Sequence, residues 1–230
     1  MPLASSGKRN PRLAVFDLDG LMFNTEELYQ EVGSELLRRR GYEFTQELLD
    51  RMMGRPSNVA LQLMIEAHAL QATVEELLAE TDEIFPAILD ERLETMPGLL
   101  ELLGALEAQA IPKAIATSSR RPFVQRVLGA FELEPRFSPI LTCEDITHGK
   151  PNPEIYLKAA ARLGVPPEEI VVFEDSQNGC RAAVTAGAVT VAVPGGHSSR
   201  HDFAGAALVV NSLADRRIYE LLQIKAGESK

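Results

Sequence analysis

A chain of 230 residues, 45% hydrophobic and 24% charged, holds enough apolar material for one large domain or a domain with an insert, and is neither disordered nor fibrous in composition. Its 33 acidic residues against 23 basic ones, a formal charge of -10, exclude a surface built for broad polyanion binding, so nucleic acid is not an expected partner. Two cysteines, Cys143 and Cys180, are too few for a disulfide framework and fit a reducing compartment, where each is read as a small packing residue.

Residues 1–10 read as a tail, and Met1–Leu13 lacks the apolar core of a signal peptide. The first short apolar run, Leu13–Phe16, does not alternate and is read as a strand buried on both faces. It leads directly into Asp17-Leu18-Asp19-Gly20. From Asn24 to Thr95 the pattern becomes helical. Glu26–Arg40, Gln46–Met53, Ser57–Leu70 and Val74–Leu89 carry apolar positions at three- and four-residue spacing, with breaks at Gly41, Gly54-Arg55-Pro56-Ser57 and Ala72-Thr73. Phe44, Met52 and Met53 are assigned to the core of this insert. Beyond it, Ala114–Ala116, Pro139–Leu141, Ile170–Phe173, Val189–Val193 and Leu208–Val210 read as strands. Leu99–Glu107, Pro122–Leu128, Glu154–Leu163 and Asn178–Ala186 read as the helices between them. The longest run free of Asp, Glu, Lys and Arg, Ala182–Ser199, is interrupted by Gly187, Pro194, Gly195 and Gly196. It falls short of the roughly 20 apolar residues of a membrane span, so a cytoplasmic protein with no membrane partner is expected. Residues 225–230 read as a second tail. The alternation predicts an α/β fold: a doubly wound, Rossmann-like parallel sheet built from residues 1–23 and 96–230, with an inserted helical domain over residues 24–95.

In open α/β sheets, ligands bind beyond the carboxyl ends of the strands, so the residues that follow each run carry the information. Asp17 and Asp19 follow the first run, and Thr117-Ser118-Ser119 the second. His148-Gly149-Lys150-Pro151 lies in the loop after the third, and Glu174-Asp175-Ser176 follows the fourth. Each has an ordinary reading by itself: a turn, a helix N-cap, a loop lysine, a polar strand end. Together they bring four carboxylates, a lysine and hydroxyls to one rim. Four carboxylates repel unless a cation joins them, and oxygen donors of this kind suit Mg²⁺. Lys150 with the hydroxyls and amides of Thr117 and Ser118 can grip a phosphoryl group. One carboxylate in line with phosphorus can attack it, and a second can protonate the leaving oxygen and then deprotonate water. The chemistry reads as phosphoryl transfer.

At Phe16-Asp17-Leu18-Asp19-Gly20, Ala116-Thr117-Ser118-Ser119, Gly149-Lys150-Pro151-Asn152-Pro153 and Phe173-Glu174-Asp175-Ser176 the chain resembles the haloacid dehalogenase-like hydrolase superfamily, over about residues 12–215. The resemblance implies Asp17 as nucleophile and Asp19 as general acid/base. It implies Mg²⁺ held by Asp17, the Asp19 backbone carbonyl and Asp175, with Glu174 assisting, and a phosphate gripped by Thr117, Ser118 and Lys150. The helical insert corresponds to the superfamily's mobile cap. Asp19 sets the chain apart from dehalogenases and phosphonatases, and the insert contains no lysine of the phosphonatase kind. Tyr29 stands where the β-phosphoglucomutase-like branch carries a histidine, and the cap there reads Gly54-Arg55-Pro56-Ser57-Asn58. Those departures favour hydrolysis over mutase chemistry. The nearest likeness is to the capped sugar-phosphate and nucleotide-monophosphate phosphatases, pseudouridine-5′-phosphatases among them, on His148–Pro151, Val172–Asp175 and Leu208–Leu213.

The expected function is therefore Mg²⁺-dependent hydrolysis of a small phosphorylated metabolite through an aspartyl-phosphate, by a monomer or weak homodimer. A hexose-phosphate mutase and a phospho-accepting signalling domain are the alternatives. Arg55, in its Gly-Pro loop, is the cap's candidate for substrate contact. His197 and His201 have a helical metal-pair spacing, but Gly195-Gly196 places them in a loop. No dinucleotide or nucleoside-triphosphate glycine motif occurs. Residues 24–95 hold 16 acidic and 6 basic residues, so the whole acidic excess falls on the insert, where it is expected to face solvent and disfavour highly anionic substrates.

Overall fold

The computed structural model describes residues 13–52, 57–196 and 198–225. Six parallel strands form one sheet: β1 (Leu13–Phe16), β2 (Lys113–Ala116), β3 (Ile140–Leu141), β4 (Ile170–Glu174), β5 (Val189–Ala192) and β6 (Leu208–Val209). Their order is β3-β2-β1-β4-β5-β6. Phe16 pairs with Ile115 on one side and with Phe173 on the other. Strand β1 is thus the point from which the winding runs in both directions, and ligand crevices form at the carboxyl ends of such switch points.

Every residue of β1, β2 and β4 is buried, which explains why Leu13–Phe16, Ala114–Ala116 and Ile170–Phe173 are continuously apolar, with charge only at the strand ends Lys113 and Glu174. Alternate side chains serve opposite faces. Leu13, Val15, Ala114, Ala116, Ile170 and Val172 pack with Ile155, Ala159 and Ala160 of helix α7 (Glu154–Leu163) and Ala182 and Ala183 of helix α8 (Gln177–Ala186). The alanines let both helices approach the strands closely. Phe16 stacks on Phe173 at 4.8 Å and meets Phe137 edge-on at 5.9 Å. The same unit holds helices α5 (Leu99–Ala108), α6 (Arg121–Ala130) and α9 (Arg216–Leu222). The last of these was not expected from the sequence: at seven residues it is too short for periodicity to stand out.

The chain divides into two compact units, one over Met1–Phe23 and Thr95–Lys230 and the other over Asn24–Glu94. The second is helical: α1 (Thr25–Arg38), α2 (Gln46–Met52), α3 (Ser57–His68) and α4 (Val74–Arg92). Val32, Leu36, Leu37, Leu48, Leu61, Met64, Leu77 and Ile84 form its core, with Phe44 and Met52 packed against them. Helix α4 starts in a reciprocal cap: Glu76 N–H donates to Thr73 Oγ1 at 3.2 Å, and Thr73 N–H donates to Glu76 Oε2 at 2.8 Å. The Asn24 side chain ties the ends of this unit together, donating to Arg92 O at 3.1 Å and accepting from Glu94 N–H at 2.9 Å. Among the described residues no helix is long and apolar enough to cross a membrane.

Candidate active site

The sheet delivers the polar residues. Asp17 N–H donates to Phe173 O at 3.0 Å and Thr117 N–H to Leu141 O at 3.1 Å, so both are held by the strand ladder just past β1 and β2. Asp17-Leu18-Asp19-Gly20 is also a turn: Gly20 has φ 73°, and Met22 N–H donates to Leu18 O at 2.9 Å. The motif is thus the turn its sequence suggests, and that turn fixes two carboxylates on a rigid strand end.

Asp17, Glu174 and Asp175 are buried, and one carboxylate oxygen from each lies within 4.8 Å of the others. Lys150 enters this cluster from its loop. Its ammonium donates to Asp17 Oδ1, to Glu174 Oε1 at 2.6 Å and to the Ala116 carbonyl at 3.0 Å, which uses its three donors. The Tyr156 ring centroid lies 5.2 Å from Nζ. Burial pushes the Asp17 carboxyl well above the ordinary range; Lys150 opposes this, while Glu174, Asp175 and Asp19 add to it. Burial disfavours the Lys150 charge, but Asp17 and Glu174 outweigh it and hold the ammonium well above its usual pKa. Three carboxylates against one ammonium leave a buried negative excess. Hard oxygen donors in this arrangement fit Mg²⁺, which satisfies such an excess without protonating the acids.

Glu174 has further partners. Tyr156, on α7, donates its hydroxyl to Oε1 at 2.6 Å, and Ser176 donates N–H and Oγ–H to Oε2 at 3.3 and 3.0 Å. Burial, then the Glu174 charge, raise the Tyr156 phenol well above its ordinary pKa, so it stays a donor. Ser176 also caps α8, accepting from Gly179 N–H at 3.1 Å. A side chain at Gly179 has no room: a Cβ there would lie 1.8–2.1 Å from the Glu174 carboxylate. Asp19, half-buried, accepts from the Ser119 hydroxyl, and Thr117 Oγ–H donates to the same oxygen at 3.4 Å. Ser118 is exposed between Thr117 and Ser119.

Of the residues singled out in the sequence, the structure brings together Asp17, Lys150, Glu174 and Asp175, and joins Asp19 to Thr117. Arg55, Met53 and His197 lie outside the described residues. His148 is exposed; its ring Nδ1 sits 3.2 Å from Glu154 Oε2. Its N–H and that of Thr147 donate to the Glu154 carboxylate at 2.8 and 3.0 Å, so Glu154 anchors the loop that carries Lys150. Burial raises the Cys180 thiol far above its usual pKa, as suits an inert packing residue. Tyr156 and Gly179 escaped the sequence reading. Tyr156 occupies an apolar-periodic position of α7 and reads as core, and Gly179 reads as an ordinary helix glycine. Their only signal is proximity in sequence to Lys150 and Glu174.

The model of the haloacid dehalogenase-like hydrolases matches residues 14–193. The phosphorylated carbohydrates phosphatase of Thermotoga maritima is 35% identical over 75% of this chain and 80% of its own length. A Drosophila melanogaster protein named a probable pseudouridine-5′-phosphatase is 34% identical over 93% of this chain and 94% of its own. A family hydrolase from Deinococcus radiodurans, solved with bound phosphate and sodium, superposes with a TM-score of 0.79 at 27% identity, covering 95% of this chain and 99% of that one.

Proposed function

The chain belongs to the haloacid dehalogenase-like hydrolase family, and from that premise we propose that it is a phosphoric monoester hydrolase acting on a small phosphorylated metabolite, a sugar phosphate or a nucleoside monophosphate. The observation that carries the reading is the placement of Asp17 at the sheet's switch point, against Lys150, with Asp19 held two residues on by Ser119 and Thr117. Asp17 attacks phosphorus and takes the phosphoryl group as an aspartyl-phosphate. Asp19 gives a proton to the leaving oxygen, then takes one from the water that cleaves the intermediate. Lys150, Thr117 and Ser118 bind the phosphoryl oxygens. Asp17, Asp175 and the Asp19 backbone carbonyl are the residues to hold Mg²⁺, with Glu174 assisting from the same buried cluster without being a direct ligand. When bound, that ion neutralises charge on the phosphoryl group.

The helical unit is assigned the part of the family's cap, with Arg55 as its candidate substrate contact. Its acidic excess favours monophosphates over bisphosphates. A cytoplasmic monomer or weak homodimer, with neither nucleic acid nor membrane as partner, completes the proposal.

The test is phosphate release across a panel of sugar phosphates, nucleoside monophosphates and bisphosphates, with Mg²⁺ and with excess chelator. Wild type releases phosphate from at least one monophosphate, chelator stops it, and Asp17→Asn abolishes it. Undiminished turnover in Asp17→Asn overturns the nucleophile. Interconversion of β-glucose 1-phosphate and glucose 6-phosphate faster than phosphate release overturns hydrolysis in favour of a mutase.

A further inference from the structure

Glu174 is fully buried and has all its hydrogen-bonding capacity in use. Oε1 accepts from Lys150 and from Tyr156, and Oε2 accepts from the backbone and hydroxyl of Ser176. An ionised carboxylate offers about four lone-pair sites, and here four donors meet them. Gly179 closes the remaining side, leaving no space even for a methyl group beside the carboxylate. A residue so engaged has little left to give a cation.

Tyr156 is the part of this arrangement that the phosphoryl-transfer steps do not use. It is completely buried, its phenol donates to Glu174, and its ring lies beneath the Lys150 ammonium. For packing against Val15, Ala116 and Val172 a phenylalanine would serve, because a buried hydroxyl adds a desolvation penalty that only a partner offsets. The partner here is the carboxylate that holds the phosphate-gripping lysine.

We propose that Tyr156 is a positioning residue: by donating to Glu174 it fixes that carboxylate as the anchor of Lys150 rather than as a metal ligand, and so aims the ammonium at Asp17 and the phosphoryl oxygens. The proposal rests on the phosphatase reading for its kinetic consequence but not for its structural one. Three groups divide the work. Asp17 and Asp175 face the cation, Lys150 faces the phosphoryl group, and Glu174 with Tyr156 and Ser176 keeps the lysine in place.

The experiment compares wild type with Tyr156→Phe, which keeps the ring and removes only the oxygen. Thermal melting certifies that both are folded. Expected is a fall in kcat of about tenfold, the size that follows when a buried hydrogen bond to a charged group is lost, with KM changed less. Without substrate, acetic anhydride followed by peptide-resolved mass spectrometry should show Lys150 labelled several-fold faster in the variant. Calorimetric Mg²⁺ affinity should stay within about twofold of wild type, against a loss of tenfold or more in Asp175→Asn. Unchanged kcat with unchanged Lys150 labelling overturns the proposal, leaving Tyr156 as packing. Mg²⁺ affinity that falls in step with kcat overturns it too, because Glu174 would then act on the metal. Should wild type hydrolyse no ester on the panel, labelling and calorimetry still decide the anchor by themselves, since neither uses a substrate.

Discussion

The Asp19 carboxylate accepts a hydrogen bond from the hydroxyl of Ser119, which lies 100 residues further along the chain. The loop after β2 thus holds the proposed general acid/base of the loop after β1. Proton transfer by a positioned side chain contributes roughly 10²–10⁴-fold, and correct aim is part of that factor. Ser119→Ala is expected to lower kcat by about three- to tenfold, and Asp19→Asn by about 10² or more. In kcat/KM, which reports the step that expels the alcohol, esters of alkyl alcohols should suffer more than p-nitrophenyl phosphate, whose leaving group needs little protonation. Equal losses of kcat/KM on both ester types would contradict a role in acid catalysis.

Three buried carboxylates against one ammonium predict opposite effects on stability and activity. Lys150→Met leaves Asp17 and Glu174 buried without their cation and is expected to destabilise by ~3–5 kcal/mol. Asp17→Asn removes one charge from the excess, so in chelator its melting temperature should equal or exceed wild type while turnover is lost. Mg²⁺ at a hundred times its Kd adds ~2.7 kcal/mol to whatever protein binds it. Wild type should show that rise in differential scanning fluorimetry, and Asp17→Asn much less of it. A rise of the same size in both would remove Asp17 from the metal site.

Most of the sheet was legible because its runs are uniformly apolar: Leu13–Phe16 and Ile170–Phe173 appear as strands within one residue of their observed ends. Helix α7 matches its expected span because Gly164, at φ 69°, stops it where the pattern ends. The proposed catalytic carboxylates were legible because topology puts strand ends at one rim, whatever the intervening sequence. What stayed hidden is what depends on side-chain direction. Tyr156 faces inward like any core residue of its helix, and nothing in the sequence reveals that its hydroxyl finds Glu174. Gly179 has the same difficulty, since its role is to leave a volume empty.

Acid should loosen the loop that carries Lys150. The Glu154 carboxyl is held at about 2 by Lys158 first, then by the backbone donors of Thr147 and His148, against an ordinary value of 4.5. A carboxyl whose pKa is depressed in the folded state contributes stability above its unfolded value and loses it as pH falls through its folded value. The window therefore runs from about pH 4.5 down to about pH 2. Amide exchange at Thr147 and His148, corrected for intrinsic rates, should quicken across that window. In Glu154→Gln the two amides should already exchange faster at neutral pH and respond less to acid. Protection at both amides that stays constant down to pH 2 would remove Glu154 as the anchor.

Two glycines separate backbone strain from close approach. Gly164 has φ 69° and open space around the position of a Cβ, whereas Gly98 has φ 88° and would place a Cβ 2.2 Å from Ala214 N and 2.6 Å from Leu213 C. Both substitutions to alanine incur the left-handed penalty of ~1–2 kcal/mol. Only Gly98→Ala must also displace backbone, and that backbone leads into Asp215, whose side chain caps the helix Arg216–Leu222 by accepting from Arg217 N–H. At about 2–4 °C per kcal/mol for a chain of this size, Gly164→Ala should lower the melting temperature by a few degrees. Gly98→Ala should lower it by clearly more, and exchange protection in Arg216–Leu222 should fall with it. Equal shifts in the two variants would mean that the Leu213–Ala214 segment yields freely, and that Gly98 is required only for its backbone angle.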